Sequence, residues 1–389
     1  MMSMTSLKKR AILTWNAVLI LPAAVSLYGG VRNALRPGYS EDFQWSGAHL
    51  TLHHIDPYHQ FLLHDPGHLI LMTQVPNYLH ELYILLLPLG ALTFASARLV
   101  WLVLNCLFTV VVLATLRTIY ALDPAKTFLL ALLLIASTPF RVVLGAGTES
   151  LLELTFFCLF FYLEGEIKRG LVLGLSYLKY SFSPVLFLYL AFRRRYRLLA
   201  ISMLSPLLGL LAMWLLVRGN IGTLGLEPFA VSRTGVSPGM GDLMKLAHVA
   251  FDRVLLGPLA SNAAYFVAIV ASAGYAFFLA RQDYLTRQVE AASLAIASLM
   301  FFPHLVYDFV FLIVPIAACL AAPWNRTKVG VLSACSVILY GYRLVPILGH
   351  GIVHTSVSIV VFLLLLGMLV VFGRKEVSPE VASYEKSLP

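Results

Sequence analysis

Ionisable side chains that could carry out acid–base chemistry are concentrated in the segment EDFQWSGAHLTLHHIDPYHQF, residues 41–61. Seven of the eleven histidines fall between His49 and His80, although only 12% of the residues are charged. A carboxylate here could take a proton from a nucleophile, and the histidines could bind a sugar, a phosphate or a metal. The histidine spacing matches no strong zinc motif, so a zinc site and a simple turn at Asp56–Pro57 both stay open.

A second set of ionisable residues lies within apolar segments further along the chain. The segment FFPHLVYDFVFLIVP places His304, Tyr307 and Asp308 at positions i, i+3 and i+4, which would put them on one face of a helix. Lys179 begins the sequence KYSFSP, which interrupts two apolar stretches. Because ionisable side chains at membrane depth are costly, each of them is a candidate functional residue.

Each candidate also has an ordinary structural interpretation. Asp42 could cap a helix or remain solvated, and Asp308 could cap a helix or form an ion pair within a bundle. Lys179 could neutralise Glu149 or Glu153 as a buried pair. The convergence of the candidates on one side of the membrane, predicted below, favours a functional role more than any single residue does.

Membrane-spanning helices are the elements that must position these residues. The 389-residue chain is 59% hydrophobic, and its charged fraction is about half that of an ordinary soluble domain. Its apolar stretches of about 17–22 residues are long enough to cross the hydrocarbon core. The sequence therefore predicts an all-α polytopic membrane protein, with one transmembrane domain over residues 1–376 and a cytoplasmic tail over 377–389.

The distribution of basic residues predicts the orientation of the chain. Lys and Arg cluster between apolar runs, as the positive-inside rule requires of cytoplasmic loops, so the net charge of +9 does not indicate nucleic-acid binding. The first apolar run could be a signal peptide, but its length and the many later runs favour a retained anchor. Both termini are expected in the cytoplasm, with ten spans at about 10–30, 97–117, 126–141, 150–166, 197–217, 249–280, 288–303, 305–322, 329–347 and 356–373.

Two outer loops, 31–96 and 218–248, and a re-entrant hairpin over 170–192 complete the predicted topology. The first loop includes 80–94, which is too short for a confident span and is expected to be interfacial or half-inserted. Lys168–Arg169 and Arg193–Arg195 both belong in the cytoplasm but are only about 23 residues apart. Two half-helices that meet at KYSFSP satisfy both constraints. A rising arm of about ten residues covers ~15 Å, which would hold Lys179 inside the membrane.

This topology gathers most of the polar chemistry on the outer face. The residues concerned are Asp42, His53, His54, Asp56, His59, Arg141, Glu149, Lys179, Arg233, His304, Asp308, His350 and His354.

Several motifs, in this order along the chain, resemble those of GT-C fold glycosyltransferases, in particular glycosyltransferase family 87. They are EDFQWSGAHL with HIDPY, VPNYLHELYILLLPLGALTF with LVWLVLN, GLVLGLSYLKYSFSPVLFL, and FPHLVYDFVFLIVP. Together they cover about residues 40–315. The family's GQ-x-N segment is represented by GTES at 147–150, which departs from the pattern and leaves the identity of the sugar or acceptor open.

The resemblance implies a GT-C bundle of about 10–12 helices that transfers mannose or a similar sugar from a polyprenyl-phosphate donor with inversion. Asp42 matches the acidic residue that serves as general base in such enzymes. Lys179 and His304 would bind the donor phosphate, with Arg233 or Arg141 as helpers. The residues expected to bind the sugar or the acceptor are His53, His54, Asp56, Tyr58, Glu149, Tyr307 and Asp308.

The resemblance also implies the partners and the location of the enzyme. The sugar would pass to a lipid- or glycan-linked acceptor on the outer face of the cell membrane. Because a lipid monophosphate carries fewer charges than a nucleotide diphosphate, we expect no metal and no other cofactor.

Two other function classes remain as alternatives. A transporter or flippase of a lipid-linked or anionic solute would also use broken helices, but no internal repeat is visible in the sequence. A metal-dependent hydrolase built on the histidines would require a bound metal and would be sensitive to chelators.

Overall fold

A computed structural model describes residues 4–36, 38–72, 74–234, 242–252, 254, 258–283, 285–321, 330, 333–335, 359–367 and 369. The predicted span 329–347 and part of the span 356–373, together with His350 and His354, lie outside these residues. The regular structure of the described residues is entirely helical, which confirms the all-α fold class.

The helices follow one another through short turns. They are α1 (Met4–Leu35), α2 (Trp45–Leu52), α3 (Pro57–Leu62), α4 (His80–Gly90), α5 (Phe94–Ile119), α6 (Pro124–Ala136), α7 (Thr138–Ala146), α8 (Ser150–Tyr162), α9 (Glu166–Ser176), α10 (Ser183–Phe192), α11 (Tyr196–Ser202), α12 (Leu204–Val217), α13 (Ile221–Thr234), α14 (Leu243–Phe251), α15 (Pro258–Ala280), α16 (Arg287–Phe301), a 3₁₀ helix (Val306–Leu312) and α17 (Ile313–Ala321).

Within the described ranges, four helical segments are long and apolar enough to cross a membrane: Ile12–Leu35, Phe94–Ile119, Tyr196–Val217 and Leu259–Ala280. Helices α6 and α7 would supply a fifth span, but they meet at an angle of 61°. This is fewer than the ten predicted spans.

The missing spans are apolar stretches that break into shorter helices. The Ser137 hydroxyl accepts the Phe140 N–H and starts α7 as a separate helix. Helix α16 ends at Phe301 because Phe302 precedes a proline and adopts an extended conformation. Residues 305–322, predicted as one span, form the 3₁₀ helix followed by α17.

The chain between α1 and α4 is compact and folded. Asp56 begins α3 as its N-cap, because its carboxylate accepts the N–H groups of Tyr58 and His59. Helix α4, expected to be interfacial or half-inserted, packs against α2 and α12. The contact with α2 is close, since a Cβ atom at Gly90 would lie 2.8 Å from the carbonyl carbon of Ala48.

Helices α9 and α10 form the arms of a hairpin whose tip, residues 177–182, is not helical. The open ends of the arms lie together, because Arg195 and Arg197 pair with Glu166 at 3.8 and 3.9 Å. Helix α9 packs on α11 so closely that a Cβ atom at Gly174 would lie 2.5 Å from the Ser202 carbonyl oxygen. The break begins two residues before the predicted one, so Lys179 lies within the tip.

The hairpin tip lies where two hydrophobic clusters meet. The larger cluster includes the inner faces of α5–α8 and α16–α17, and it takes up Tyr177 and Phe182 from the tip. The smaller cluster joins α2 and α4 to Trp101 and takes up Leu178. Side chains on both sides of Lys179 are therefore anchored in packed cores, which fixes the position of the lysine.

Candidate active site

Asp308 is the centre of a buried hydrogen-bond network at the hairpin tip. One carboxylate oxygen, Oδ1, accepts the Lys179 ammonium at 2.5 Å and the Ser150 hydroxyl at 2.6 Å. Lys179 also donates to Ser150 Oγ at 3.4 Å. The lysine side chain is 11% exposed and that of Asp308 only 2%, so the ion pair is almost removed from solvent. The buried partner of Lys179 is thus Asp308 rather than Glu149 or Glu153.

His304 completes the network on the second carboxylate oxygen. Its Nδ1 lies 3.2 Å from Asp308 Oδ2, and its Nε2 lies 2.7 Å from the Ser298 carbonyl oxygen. Because both partners are hydrogen-bond acceptors, both ring nitrogens must carry a hydrogen and the imidazole is assigned as the cation. Lys179, His304 and Asp308 then carry one net positive charge.

The local fold around Pro303 arranges these residues differently from the predicted helical face. His304 precedes the 3₁₀ helix instead of lying within it, and Asp308 Oδ2 accepts the Leu305 N–H at the start of that helix. Tyr307 nevertheless faces the site, with its ring centroid 4.9 Å from Lys179 Nζ. His304, Tyr307 and Asp308 therefore converge on Lys179, as their spacing suggested, although they do not share a continuous α-helix.

Asp42 lies in the turn between α1 and α2, within electrostatic range of this network. Burial raises the pKa of Asp42 to about 6, the charge of Lys179 lowers it, and the charges of Asp308 and Glu41 raise it. The Asp42 N–H donates to the Ala146 carbonyl oxygen at 3.3 Å. A half-buried carboxylate with such a pKa is ionised at neutral pH and can still accept a proton readily.

The segment GTES holds the Asp42 turn in place. Gly147 adopts a left-handed conformation (φ 76°), and a Cβ atom there would lie 2.9 Å from Phe43 Cβ. Glu149 is fully buried and accepts the Gln44 N–H at 3.2 Å. Ser150 follows and reaches the Asp308 network. One short segment thus connects the Asp42 turn to the Lys179 pair.

The network opens into a cavity of about 570 Å³. Its wall is lined by Asn77, Tyr78, Lys179, Tyr180, Ser181, Pro184, Leu226, Phe229, Ser232, Met244, Asn262, Tyr265, Ile269, Phe302, Pro303, His304, Leu305, Tyr307 and Asp308. The charged side chains in this wall belong to the Lys179 network, and the rest of it is apolar or carries neutral hydroxyl and amide groups. An anionic group with hydroxyl-bearing neighbours suits such a cavity.

A second cavity of about 420 Å³, almost entirely apolar, adjoins the first. The two share Tyr180, Pro184, Ile269 and Phe302 in their walls. The other lining residues come from the hairpin, from the α11–α12 region and from α15: Leu79, Tyr177, Ser183, Phe187, Leu188, Met203, Pro206 and Ser272. An apolar groove therefore leads away from the Lys179 network.

The predicted sugar- and acceptor-binding residues of the first loop lie apart from this network. His53 and His54 are exposed and hold backbone carbonyls of His49 and Leu216 through Nδ1, each at 2.8 Å. Tyr58 is fully buried and donates its hydroxyl to the Tyr78 carbonyl oxygen at 2.8 Å.

Asp56 connects the loop to α13. Besides capping α3, it hydrogen-bonds Glu227, whose pKa is raised to about 8 by burial and then by this neighbouring carboxyl. His59 Nδ1 lies 3.4 Å from the same glutamate. Because α13 contributes Leu226 and Phe229 to the cavity wall, Asp56 acts on the site through a helix that lines it.

The two arginines proposed as phosphate helpers also lie elsewhere or outside the description. The Arg141 side chain packs on α1, where a Cβ atom at Gly29 would lie 3.2 Å from Arg141 Cδ. Arg233 belongs to α13, and its side chain is outside the described part.

Tyr78 and Ser150 are site residues that the sequence analysis did not select. Tyr78 lines the cavity and hydrogen-bonds Glu149, and Ser150 bridges Lys179 and Asp308. The signal for Ser150 was its place in GTES, the segment that departs from the family pattern. Tyr78 had no distinguishing signal, because a lone tyrosine before an apolar helix is common.

No three His, Cys, Asp or Glu side chains in the described ranges are arranged to hold a metal ion. The expectation that the reaction needs no metal remains a prediction.

Comparison with known proteins gives one match. The sequence model of glycosyltransferase family 87 matches residues 82–315, more than half of the chain. This range includes Glu149, Lys179, His304 and Asp308, whereas Asp42 precedes it. No curated protein and no solved structure gives a significant match. With its apolar helices and its buried charged network, the chain belongs to glycosyltransferase family 87 and is a membrane glycosyltransferase.

Proposed function

We propose that the enzyme transfers a sugar, mannose or a similar hexose, from a polyprenyl-phosphate donor to a hydroxyl of a lipid- or glycan-linked acceptor. The observation that carries this proposal is the position of the Lys179 network, where a polar cavity meets an apolar groove. The network has one net positive charge for a phosphate, and the groove offers apolar surface for the first isoprene units. A nucleotide sugar would leave that groove without a ligand.

Asp42 is the proposed general base. It removes the proton of the acceptor hydroxyl while that oxygen forms a bond to the anomeric carbon. The bond between the anomeric carbon and the phosphate oxygen breaks on the opposite face, so the configuration inverts. The leaving polyprenyl phosphate gains one negative charge, which Lys179 and His304 stabilise. The chemistry of the step is complete without a metal.

The cavity side chains divide between the two substrates in this proposal. Tyr307 lies beside Lys179 and is suited to pack against the donor sugar. Asn77, Ser181 and Asn262 supply amide and hydroxyl groups that can hydrogen-bond sugar hydroxyls. Glu149 positions the Asp42 turn through Gln44 and, being fully buried, acts indirectly.

The orientation proposed from the basic residues places Asp42 and Lys179 toward the outer face of the cell membrane, with both termini in the cytoplasm. The hairpin arms support this arrangement, since Arg195, Arg197 and Glu166 lie together at the end away from Lys179.

Incubation of the purified enzyme with a matched panel of sugar donors tests the proposed function. The panel contains polyprenyl-phosphate sugars and the corresponding nucleotide sugars, and sugar transfer or slow donor hydrolysis is measured. We expect turnover with at least one polyprenyl-phosphate sugar and none with the nucleotide sugars. Turnover with nucleotide sugars alone would refute the proposed donor class.

A further inference from the structure

A second polar cavity lies at the opposite end of α9 from Lys179. Its volume is about 600 Å³, and its wall is formed by Thr118, Ile119, Phe161, Tyr162, Leu163, Glu164, Lys168, Arg287 and Gln288. Lys168 precedes Lys179 by eleven residues, which corresponds to about 16 Å along a helix. The cavity is therefore separate from the proposed catalytic site, and we call it the basal cavity.

Arg287 presents a partly unused guanidinium to the basal cavity. Its Nη2 donates to the Leu163 carbonyl oxygen at 2.8 Å, and its Nη1 lies 3.2 Å from Glu164. The side chain of Glu164 is 91% exposed, so this ion pair is solvated and weak. Nε of Arg287 is buried and has no hydrogen-bond partner among the described residues. A buried donor without a partner is unusual and indicates a site for an acceptor.

Positive charge is crowded around this cavity. Lys168 lines the cavity beside Arg287, and Arg169 lies behind it with its guanidinium 4.4 Å from the Phe160 ring centroid. Burial lowers the pKa of Arg169, and the neighbouring cations Arg287 and Arg195 lower it further. An anion in the cavity would relieve this repulsion.

We propose that the basal cavity binds the phosphate group of an anionic phospholipid. Lys168 and Arg287 supply the positive charge, and the wall of Ile119, Phe161 and Tyr162 supplies apolar surface. A volume of 600 Å³ far exceeds that of a bare phosphate and suits a glycerophosphate headgroup. Basic pockets between transmembrane helices, on the side toward which the basic loops point, are typical sites for such headgroups.

The position of the cavity gives a bound lipid a structural consequence. Gln288 Nε2 donates to the Ile119 carbonyl oxygen at 3.0 Å, and the Tyr120 hydroxyl donates to the Gln288 carbonyl oxygen at 2.9 Å. The cavity thus spans the junction of α5, α8 and α16. A lipid that binds only the folded protein would stabilise this junction, and its effect would grow with lipid concentration.

Lipid titration of the detergent-purified full chain tests the proposal. Native mass spectrometry counts bound lipid, and thermal unfolding measures Tm, with phosphatidylglycerol, phosphatidylcholine or glycerol 3-phosphate added separately. We expect phosphatidylglycerol to bind and to raise Tm, and phosphatidylcholine to bind more weakly. If glycerol 3-phosphate alone gives the full effect, the ligand is a free phosphate compound. Equal binding of the two lipids would refute a site for anionic phosphate.

Variants with matched charge changes locate the binding site. Lys168→Glu and Arg287→Gln should each weaken phosphatidylglycerol binding by about fivefold or more, the contribution of one cation near an anionic surface. Arg281→Glu changes the charge at the same end, on α15 against Phe277 and outside the cavity, and should keep wild-type affinity. Tm without added lipid shows whether each variant is folded. Wild-type affinity in folded Lys168→Glu, or an equal loss in Arg281→Glu, would overturn the assignment.

Discussion

Lys179 and Asp308 form a pair whose role depends on its third and fourth members. A bare buried ion pair would be neutral and would offer little to a phosphate, but His304 adds a cation and Ser150 adds a hydroxyl to the same carboxylate. Asp308 thereby holds the cation and the hydroxyl of the site in place. A preorganised positive group stabilises a leaving phosphate without having to rearrange during the reaction.

Loss of the Lys179 charge should mainly weaken binding of the sugar donor. Removing one partner of a buried pair also destabilises the fold, so the double variant Lys179→Met/Asp308→Asn is the informative one. We expect its Kd for the polyprenyl-phosphate sugar to rise about 10- to 100-fold, as for a lost charge-assisted hydrogen bond. Lys126→Met, on an exposed helix start, is the control. Unchanged donor affinity in the folded double variant would exclude Lys179 from the phosphate site.

The pH dependence should report the ionisation of Asp42. Its pKa of about 6 means that the protonated, inactive form accumulates as the pH falls, so kcat/KM should drop about tenfold per pH unit below that value. Glu41 raises this pKa, and Glu41→Gln should therefore move the inflection to lower pH. The pH profiles of the wild type and Glu41→Gln check both statements. A profile that is flat between pH 5 and 7 would argue against Asp42 as the base.

At the scale of elements, the hairpin brings Lys179 to the other residues. Its arms are short, and close contacts between backbones hold them: α9 approaches α11 at Gly170 and Gly174. The tip residues Tyr177 and Phe182 are packed in the larger cluster. Any change that separates α9 from α11 should therefore move the lysine as well as reduce stability.

Gly174→Ala tests the role of this contact. The added methyl group would lie 2.5 Å from the Ser202 carbonyl oxygen, and overpacking of this kind costs about 1–3 kcal/mol. We expect a lower Tm and reduced turnover. Gly274→Ala in α15, where no atom outside the helix lies within 4 Å of the new methyl group, should be neutral or slightly stabilising. Equal Tm values for the two variants would show that the α9–α11 contact does not constrain the hairpin.

The sequence predicted the hairpin and the approach of His304, Tyr307 and Asp308 to Lys179, because charge placement and spacing are local properties. It did not predict that Ser150 would bridge the pair, since that contact joins residues 158 positions apart. The histidines of the first loop were overvalued for the opposite reason. Their residue type suggests chemistry, but exposure and backbone hydrogen bonds are set by packing that the sequence pattern does not reveal.

At the scale of the whole molecule, the two ends of α9 have different surroundings. Near Lys179, carboxylates from several elements surround a cationic network, and at the other end arginines outnumber their exposed acidic partners. This asymmetry agrees with the proposed orientation, since basic residues collect on the cytoplasmic side of membrane proteins. It also separates a proposed site for the lipid-linked donor from a proposed site for a structural lipid.

Metal independence is a prediction about the complete enzyme. Because the positive charge at the phosphate is supplied by side chains, sugar transfer should keep its wild-type rate in excess EDTA. Initial rates with EDTA, and with EDTA followed by Mg²⁺, Mn²⁺ or Zn²⁺, provide the measurement. A loss of activity that a divalent ion restores would favour a metal-assisted mechanism.

The most direct test of the proposed mechanism is to measure donor binding and turnover separately in Asp42→Asn. The substitution keeps the size of the side chain and removes only its capacity to accept the proton. We expect a folded protein that binds the polyprenyl-phosphate sugar with wild-type affinity and whose kcat falls by about 10²- to 10⁴-fold, the usual contribution of a general base. Glu41→Gln, the adjacent exposed carboxylate, should retain turnover at neutral pH. Near wild-type kcat in Asp42→Asn would contradict the assignment of the base and, with it, the proposed mechanism.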